Sequence, residues 1–225
     1  MNEKLNKKRQ KDEPLSNPFK KQEVEQYERK RYRGLDQRLV HSREEKILRK
    51  ILEKIGKEGA LALDVPCGYG RFSPLLLERD LSLVSSDLSF HMVKRAVERN
   101  EGSARLSGVV ADGISGLPFK GKAFDFILSM RFFHHLHQEE ERKAVLGEFS
   151  RVAKEGIILS FYQLNPLHVL QRKLRRRIKK SKTKIKMLSR EEFQREVEGE
   201  GFRIVRVYSL FKGIHSQHIA LLQKN

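Results

Sequence analysis

The chain has 225 residues, enough for one domain of ordinary size with an added arm or lid. Hydrophobic residues make up 38% of the sequence and charged residues 34%, which indicates a single packed core with polar extensions. Neither a bilayer-spanning apolar run nor a secretory signal is apparent. The single cysteine excludes a disulfide framework and a cysteine-based zinc site. We therefore expect a cytoplasmic protein that holds no metal.

The net charge of +18 is concentrated in the two flanks of the chain. Residues 1–58 carry 18 Lys and Arg against 11 Asp and Glu, and residues 166–225 carry 16 against 5. Residues 59–165 carry 13 of each sign. Basic flanks predict an anionic partner, which could be nucleic acid, an anionic membrane surface or a phosphorylated substrate.

Hydrophobic periodicity divides the chain into three parts. Residues 1–22 are predicted to be a disordered basic tail, residues 23–58 a helical extension that stops at Gly56, and residues 59–225 the main domain. In that domain, strands are predicted at 60–65, 83–86, 106–111, 124–130, 156–162, 202–208 and 217–222. Helices are predicted at 74–78, 90–100, 139–153 and 189–200, with Ser73 and Ser89 as N-caps. This alternation predicts a doubly wound α/β fold with a mostly parallel seven-stranded sheet and an antiparallel C-terminal strand.

The segment LALDVPCGYGR, residues 61–71, is the most informative stretch. It is predicted to be a buried strand followed by a tight turn and a helix start, where glycines let a ligand approach the backbone. Asp87, at the end of the second predicted strand, is placed to accept both hydroxyls of a ribose. Asp112, after the third strand, is placed to accept from the exocyclic amine of a purine. These residues predict a nucleoside-like ligand at the carboxyl ends of the strands.

Four segments, in order, resemble the motifs of class I S-adenosylmethionine-dependent methyltransferases with a type 11-like domain. They are DVPCGYGR (64–71), SDLSFHM (86–92), ADGISGLPF (111–119) and AFDFILSMRFFHHL (123–136). The similarity covers about residues 45–165. The sequence departs from the commonest pattern at Pro66 and Cys67, where a glycine is usual, although several methyltransferase subgroups carry Pro-Cys-Gly. An NAD-binding dinucleotide fold is the alternative that the glycine turn leaves open.

The resemblance implies a Rossmann-like methyltransferase fold and S-adenosylmethionine as cofactor. The methionine and ribose parts of the donor would lie at the glycine turn, the adenine at the loop after the third strand, and the sulfonium after the fourth. The donor-binding residues that it implies are Asp64, Pro66, Gly68, Gly70, Arg71, Asp87, Leu88, Asp112, Gly113, Ile114, Ser129, Met130 and Arg131.

His134 and His135 are the candidate catalytic residues. They follow the fourth predicted strand, where methyltransferases often meet the acceptor, and a neutral imidazole can remove a hydroxyl proton near pH 7. The alternative is that these histidines only cap a helix. Cys67 is interpreted as a packing residue rather than a nucleophile, and Asp125 as a structural partner.

Residues 166–187 are predicted to form a basic lid between the fifth strand and the last helix. Apolar residues recur on one helical face, and seven of residues 171–180 are Lys or Arg. Such a helix could cover the pocket, lie on anionic lipid, dock a phosphorylated acceptor or follow an RNA backbone.

The predicted function is transfer of a methyl group to a hydroxyl of a small or amphiphilic, anionic acceptor. The acceptor would be a small molecule or lipid-linked, and the protein could be peripheral to the inner membrane surface. One alternative is an RNA methyltransferase that uses both basic flanks. Another is a non-catalytic binding protein with the donor fold.

Overall fold

The computed structural model of the protein describes residues 24, 28, 34–164 and 185–225. The helices of this part of the chain are α1 (Leu35–Ile55), α2 (Ser73–Leu77), α3 (Phe90–Glu98), α4 (Glu139–Val152) and α5 (Arg190–Gly199), with a 3₁₀ turn at Phe133–His135. The strands are β1 (Leu61–Asp64), β2 (Ser82–Asp87), β3 (Leu106–Val110), β4 (Phe124–Ser129), β5 (Ala153–Tyr162), β6 (Phe202–Ser209) and β7 (Gln217–Lys224). The predicted tail 1–22 and most of the predicted lid 166–187 lie outside the described residues.

The strands form one seven-stranded sheet in the order β3-β2-β1-β4-β5-β7-β6. Strands β1 to β5 are parallel, and β7 is antiparallel to both of its neighbours. The predicted doubly wound, mostly parallel sheet with an antiparallel C-terminal strand is therefore confirmed. Strand order reverses between β1 and β4, and open α/β sheets bind ligands at the carboxyl ends of the strands beside such a reversal. We call the end of the sheet at which β1 to β5 terminate the carboxyl end.

Helices cover both faces of the sheet. Phe149 of α4 and Phe193 of α5 pack in the core on one face, whereas Ile47 and Leu48 of α1 and Leu75 of α2 pack on the other. Residues 44, 47, 48, 51 and 52 of α1 are buried at helical spacing. Helix α1 is thus part of the core of the main domain rather than an appendage to it.

The helix ends follow the sequence at most positions. Gly56 ends α1, the Ser89 hydroxyl accepts from the Met92 N–H at 3.4 Å, and Ser189 forms a capping box with Glu192. The predicted N-cap at Ser73 is wrong, because Phe72 occupies the cap and Ser73 is the first residue of α2. The Ser73 N–H already donates to Gly70 O, so α2 begins one residue earlier than predicted.

Candidate active site

The turn after β1 is joined to the end of β2 through Asp87. Its carboxylate accepts from the N–H groups of Gly68 (3.0 Å) and Ser89 (2.9 Å). Burial raises the pKa of Asp87, and these backbone hydrogen bonds oppose the rise. Gly68 has a φ of +53°, and an added Cβ there would meet nothing within 4 Å. The backbone at Gly68 therefore borders open space, and the Asp87 carboxylate lies next to it.

Asp64, the last residue of β1, is an acid buried without a partner. It is 1% exposed, and neither of its carboxylate oxygens has a hydrogen-bond partner among the described residues. Burial raises the pKa of Asp64 to about 8, with Arg71 opposing and Asp87 adding to the rise. Buried polar groups are normally satisfied, so this carboxyl group points to a ligand with polar groups at the glycine turn.

Gly70 and Cys67 serve packing in the described structure. A Cβ at Gly70 would lie 2.8 Å from the Cα of Ala96, so glycine is required because α3 approaches the turn. Cys67 is buried in a cluster with Val93 and Ala96, and burial raises the pKa of its thiol well above its usual range. A thiol that stays protonated is a poor nucleophile, in agreement with the interpretation of Cys67 as a packing residue.

The loop after β3 is organised by Asp112. Its carboxylate accepts from the Ile114 N–H (2.9 Å) and the Ser115 hydroxyl (2.6 Å). These bonds fix the backbone of the loop on either side of Gly113. A Cβ added to Gly113 would lie 3.8 Å from the Val65 side chain and 3.9 Å from the Phe132 ring.

Arg131, directly after β4, belongs to a buried ion cluster that the sequence reasoning missed. Its guanidinium donates to both oxygens of Glu44 at 2.8 Å. Arg71 and the Gln217 amide also donate to Glu44, at 2.8 and 2.6 Å. Glu44 is fully buried. Burial acts to raise its pKa, but the two arginines and these hydrogen bonds lower it. We call these four residues the Glu44 cluster.

The Glu44 cluster joins the loops after β1 and β4 to α1 and β7. Arg131 has a left-handed φ of +58°, and its N–H donates to the Ser160 hydroxyl at 2.5 Å. The available signal in the sequence was Glu44 itself, a charged residue within the apolar stripe of α1 that continues through Ile47, Leu48 and Ile51. The cluster fixes the two loops that border the predicted donor.

The two predicted catalytic histidines differ in exposure. His134 is 6% exposed, and its ring lies 4.7 Å from that of Tyr162 and 4.1 Å from that of His135. His135 is exposed. Both lie in the 3₁₀ turn after β4. The structure thus brings two imidazoles and a phenol together at the carboxyl end.

Ser129, Met130, Pro66 and Leu88 complete the predicted donor-binding set. Ser129 ends β4, is fully buried, and its hydroxyl has no partner among the described residues; Met130 is also buried. Pro66 and Leu88 are half-buried beside the turn and after Asp87. All of the predicted residues follow β1, β2, β3 or β4 or end one of these strands.

The N-terminal residues that are described also reach this region. Val24 is buried in a cluster with Tyr69 of the glycine turn and Met92 of α3. Glu28 forms ion pairs with Arg95, at 2.9 Å, and Arg99. Sequence reasoning did not predict these contacts.

A cavity of about 1220 Å³ lies elsewhere, beside the edge strand β6. Its lining includes seven cationic side chains and one acidic side chain, Glu198. The seven are Arg43, Lys46, Lys50, Arg190, Arg203, Arg206 and Lys212. We call it the β6 groove. Within the described residues, no group of three or more His, Cys, Asp or Glu is placed to hold a metal ion, and no helix has the length and apolar character to cross a membrane.

Comparison of the sequence with known protein families identifies a matching family. Residues 63–161 match the model of the family described as "Methyltransferase domain". Residues 63–161 therefore form a methyltransferase domain. Domains of this class use S-adenosylmethionine as methyl donor, and the predicted family and cofactor are confirmed at this level. The unpartnered Asp64 and the open backbone at Gly68 fit such a donor.

Relatives and solved structures of this domain differ in their named acceptors. A tRNA (carboxymethyluridine(34)-5-O)-methyltransferase of Xenopus tropicalis is 34% identical over 99 residues, 44% of this chain and 14% of that protein. A demethylmenaquinone methyltransferase of Thermobifida fusca is 30% identical over 117 residues, 52% and 49% of the two chains. The structure of magnesium protoporphyrin IX methyltransferase from Synechocystis with bound SAH has a TM-score of 0.71 at 18% identity, over 85% of this chain and 88% of that one. This chain spans well under two thirds of both relatives.

Proposed function

We propose that the protein transfers a methyl group from S-adenosylmethionine to a hydroxyl of a small or amphiphilic, anionic acceptor. The observation that carries the proposal is the buried, unpartnered Asp64 carboxyl group beside the open backbone of Gly68. Asp87 and Asp112 end or follow the two neighbouring strands. This arrangement suits a nucleoside-type donor, as in the family.

The chain's own contribution to the reaction is alignment. When bound, the donor supplies a methyl group on a positively charged sulfur. Asp64, Asp87 and Asp112 would hold the donor, and the Glu44 cluster would keep the loops after β1 and β4 in place on either side of it. Holding an acceptor oxygen in line with a reactive carbon lowers the barrier by converting a bimolecular step into one within the complex.

Removal of the acceptor proton falls to His134 or His135. Both imidazoles lie in the turn that follows β4, and a neutral imidazole is a suitable base for a hydroxyl near pH 7. The name of the Xenopus relative specifies transfer to oxygen, which supports an oxygen atom as the acceptor.

The acceptor is tested with donor labelled on its methyl group. The protein is incubated with an extract of its source, and RNA, organic-soluble lipid and small aqueous molecules are separated. We expect label in the lipid or small-molecule fraction. Label confined to an RNase-sensitive fraction would overturn this choice of acceptor, and failure of the protein to bind S-adenosylhomocysteine would overturn the enzyme assignment.

The role of the histidines is tested by His134→Asn and His135→Asn, with His137→Asn as matched control. His137 is exposed and lies just beyond the same turn. We expect one of the two site variants to lose about 10²-fold or more in kcat while S-adenosylhomocysteine binding is retained, and the control to remain active. Full activity in both site variants would show that neither imidazole is the base.

A second candidate function is methylation of RNA, for which the β6 groove provides a specific observation. Its seven cations against one acid form a concave, strongly basic surface, and such surfaces attract phosphate backbones. The named tRNA activity of the Xenopus relative adds support. We rank this function second because the groove lies along the edge strand, three strands from β4 in the sheet.

A further inference from the structure

The exposed large hydrophobic side chains of the described residues are unevenly distributed. There are seven: Leu35, Leu39, Phe90, Val110, Leu164, Val205 and Ile214. Six of them lie at or beyond the carboxyl end of the sheet, as the connections of the chain show. Val110 is the last residue of β3, whereas Val205 lies in the middle of β6, away from the strand ends. Scattered exposed apolar residues are ordinary, but their concentration at one end of a molecule marks an interaction surface.

Helix α1 carries two of these residues past the end of the sheet. Glu44 is bonded to Arg71 and Arg131, which follow β1 and β4, so the middle of α1 is level with the strand ends. The helix then reaches β1 through its C-terminal half. At 1.5 Å per residue, Leu39 lies about 7 Å and Leu35 about 13 Å beyond Glu44. They are one turn apart and 59% and 84% exposed.

The connection between β6 and β7 places a third apolar residue beside α1. Strand β6 runs parallel to β5, since β7 is antiparallel to both, and residues 210–216 therefore lie at the carboxyl end. Arg43 of α1 donates to Leu210 O at 3.0 Å. Ile214 is 61% exposed in this connection. Leu164 is next to it, because the Gln163 N–H donates to Ser216 O at 2.8 Å.

Cations accompany these side chains. Arg38 lies between Leu35 and Leu39 on exposed α1 positions, and Lys212 is exposed two residues before Ile214. The Lys186 N–H donates to His134 O, which places Lys186 at the same end. Asp36 is the acid of the first turn of α1, and the first turns of α4 and α5 carry five glutamates at the same end of the sheet, over its other face. Near α1 and the β6–β7 connection, Arg38 and Lys212 outnumber Asp36, and aliphatic side chains mixed with Lys and Arg match the surface of an anionic bilayer.

We propose that the carboxyl end of the sheet docks on an anionic lipid surface through Leu35, Leu39, Leu164 and Ile214. This inference rests on the proposed function, since it explains how an amphiphilic acceptor would meet the donor. The protein is then peripheral, with α1 and the β6–β7 connection entering the headgroup region. The acceptor's polar group can reach the loops after β1 and β4 without leaving the membrane.

Aliphatic character favours lipid over nucleic acid as the occupant. Five of the six residues at this end are aliphatic, whereas surfaces for single-stranded nucleic acid usually present aromatic rings on which bases stack. The β6 groove shares Lys212 with this surface, but neither Leu39 nor Ile214 lines the groove, so the two occupants are separable by mutation of these two residues.

The test is sedimentation of the full chain with vesicles of phosphatidylcholine containing phosphatidylglycerol. The site variant is Leu39→Ser with Ile214→Ser, and the matched control is Val205→Ser, which removes an aliphatic side chain that is also half-exposed but lies away from this end. We expect on the order of a tenfold loss of vesicle affinity for the site variant and less than a twofold change for the control. We also expect wild-type binding to fall when phosphatidylglycerol is omitted.

S-adenosylhomocysteine binding is measured on every variant, so that a folding defect is recognised. If the double variant does not fold, Leu39→Ser alone is the site variant. Equal vesicle binding by wild type and site variant overturns the inference. The proposed function can fail separately from the docking surface. If vesicle binding depends on Leu39 and Ile214 but methyl label is found only in RNA, the docking surface is supported and the proposed acceptor is wrong.

Discussion

Asp64 combines a binding role with a cost in stability. Its carboxyl group is buried without a partner, and its pKa of about 8 means that it is largely protonated at neutral pH. In the unfolded chain the same group ionises near pH 4. The folded state therefore binds more protons than the unfolded state between about pH 4 and pH 8, so stability falls as the pH rises across this range. A group that costs stability and lines a binding site is typical of functional residues.

Asp64→Asn is expected to stabilise the ligand-free protein, more at pH 8 than at pH 5. The difference between the two pH values should be on the order of a few kcal/mol, because the amide has no proton to lose. Urea denaturation of wild type and variant at both pH values measures it. The variant should also bind S-adenosylhomocysteine more weakly. A gain that is the same at pH 5 and pH 8 would contradict the raised pKa.

At the residue scale, the sequence predicted where the candidate site residues lie along the strands better than it predicted their contacts. Asp64, Asp87 and Asp112 do end or follow the predicted strands. However, Asp87 also accepts from the N–H groups of Gly68 and Ser89, which depends on the backbone conformation of the turn. The requirement for Gly70 arises from the approach of Ala96. Contacts between elements of this kind have no local pattern in sequence.

At the scale of elements, α1 acts as a clamp across the carboxyl end of the sheet. Glu44 holds one arginine from each of the loops after β1 and β4. Removing one member of a buried ion pair leaves its partners without compensation, which costs far more than loss of an exposed pair. The helix thereby ties the geometry of the site to the stability of the fold.

Glu44→Gln is expected to lower the free energy of unfolding by about 3–5 kcal/mol. Glu53→Gln, on the same helix, is the matched control, since Glu53 pairs with Arg79 at the surface and should cost less than about 1 kcal/mol. Chemical denaturation compares the two, and donor affinity should fall only for Glu44→Gln. Similar stabilities for the two variants would show that the cluster does not clamp the loops.

The elements themselves were largely predictable, because strand and helix patterns are local. Every predicted strand is present, and β5 is longer than predicted because Ala153 to Glu155 continue it. The Glu44 cluster was not predicted, since Glu44 and Gln217 are 173 positions apart. The contact between Gln217 and Glu44 forms because β7 pairs between β5 and β6. It therefore depends on the assembled sheet and has no local pattern in the sequence.

For the whole molecule, most of the net charge of +18 lies on residues that the structure does not describe. Among the described residues, two surfaces are candidates for contact with an anionic partner. The β6 groove is basic and concave, whereas the carboxyl end of the sheet is apolar with fewer cations. An anionic lipid surface uses the second, and RNA would use the first.

If RNA is the acceptor, Lys46→Glu with Lys50→Glu should weaken RNA binding and flatten its salt dependence, because each lost phosphate contact removes about one unit from the slope of log K against log salt. Under the proposed function we expect the double variant to leave methyl transfer to the lipid or small-molecule fraction unchanged. Filter binding between 50 and 200 mM salt, with Glu198→Gln as a control within the same groove, decides between them.

The strand order has a consequence for the order of events during synthesis. Strand β7 follows β6 in the chain but lies between β5 and β6 in the sheet, so β6 has no strand to join until β7 has been made. Gln217, at the start of β7, is also the last partner of Glu44 to leave the ribosome. A growing chain in which β7 has not yet been made thus lacks one partner of Glu44, and the clamp on the loops after β1 and β4 is complete only when β7 has inserted between β5 and β6.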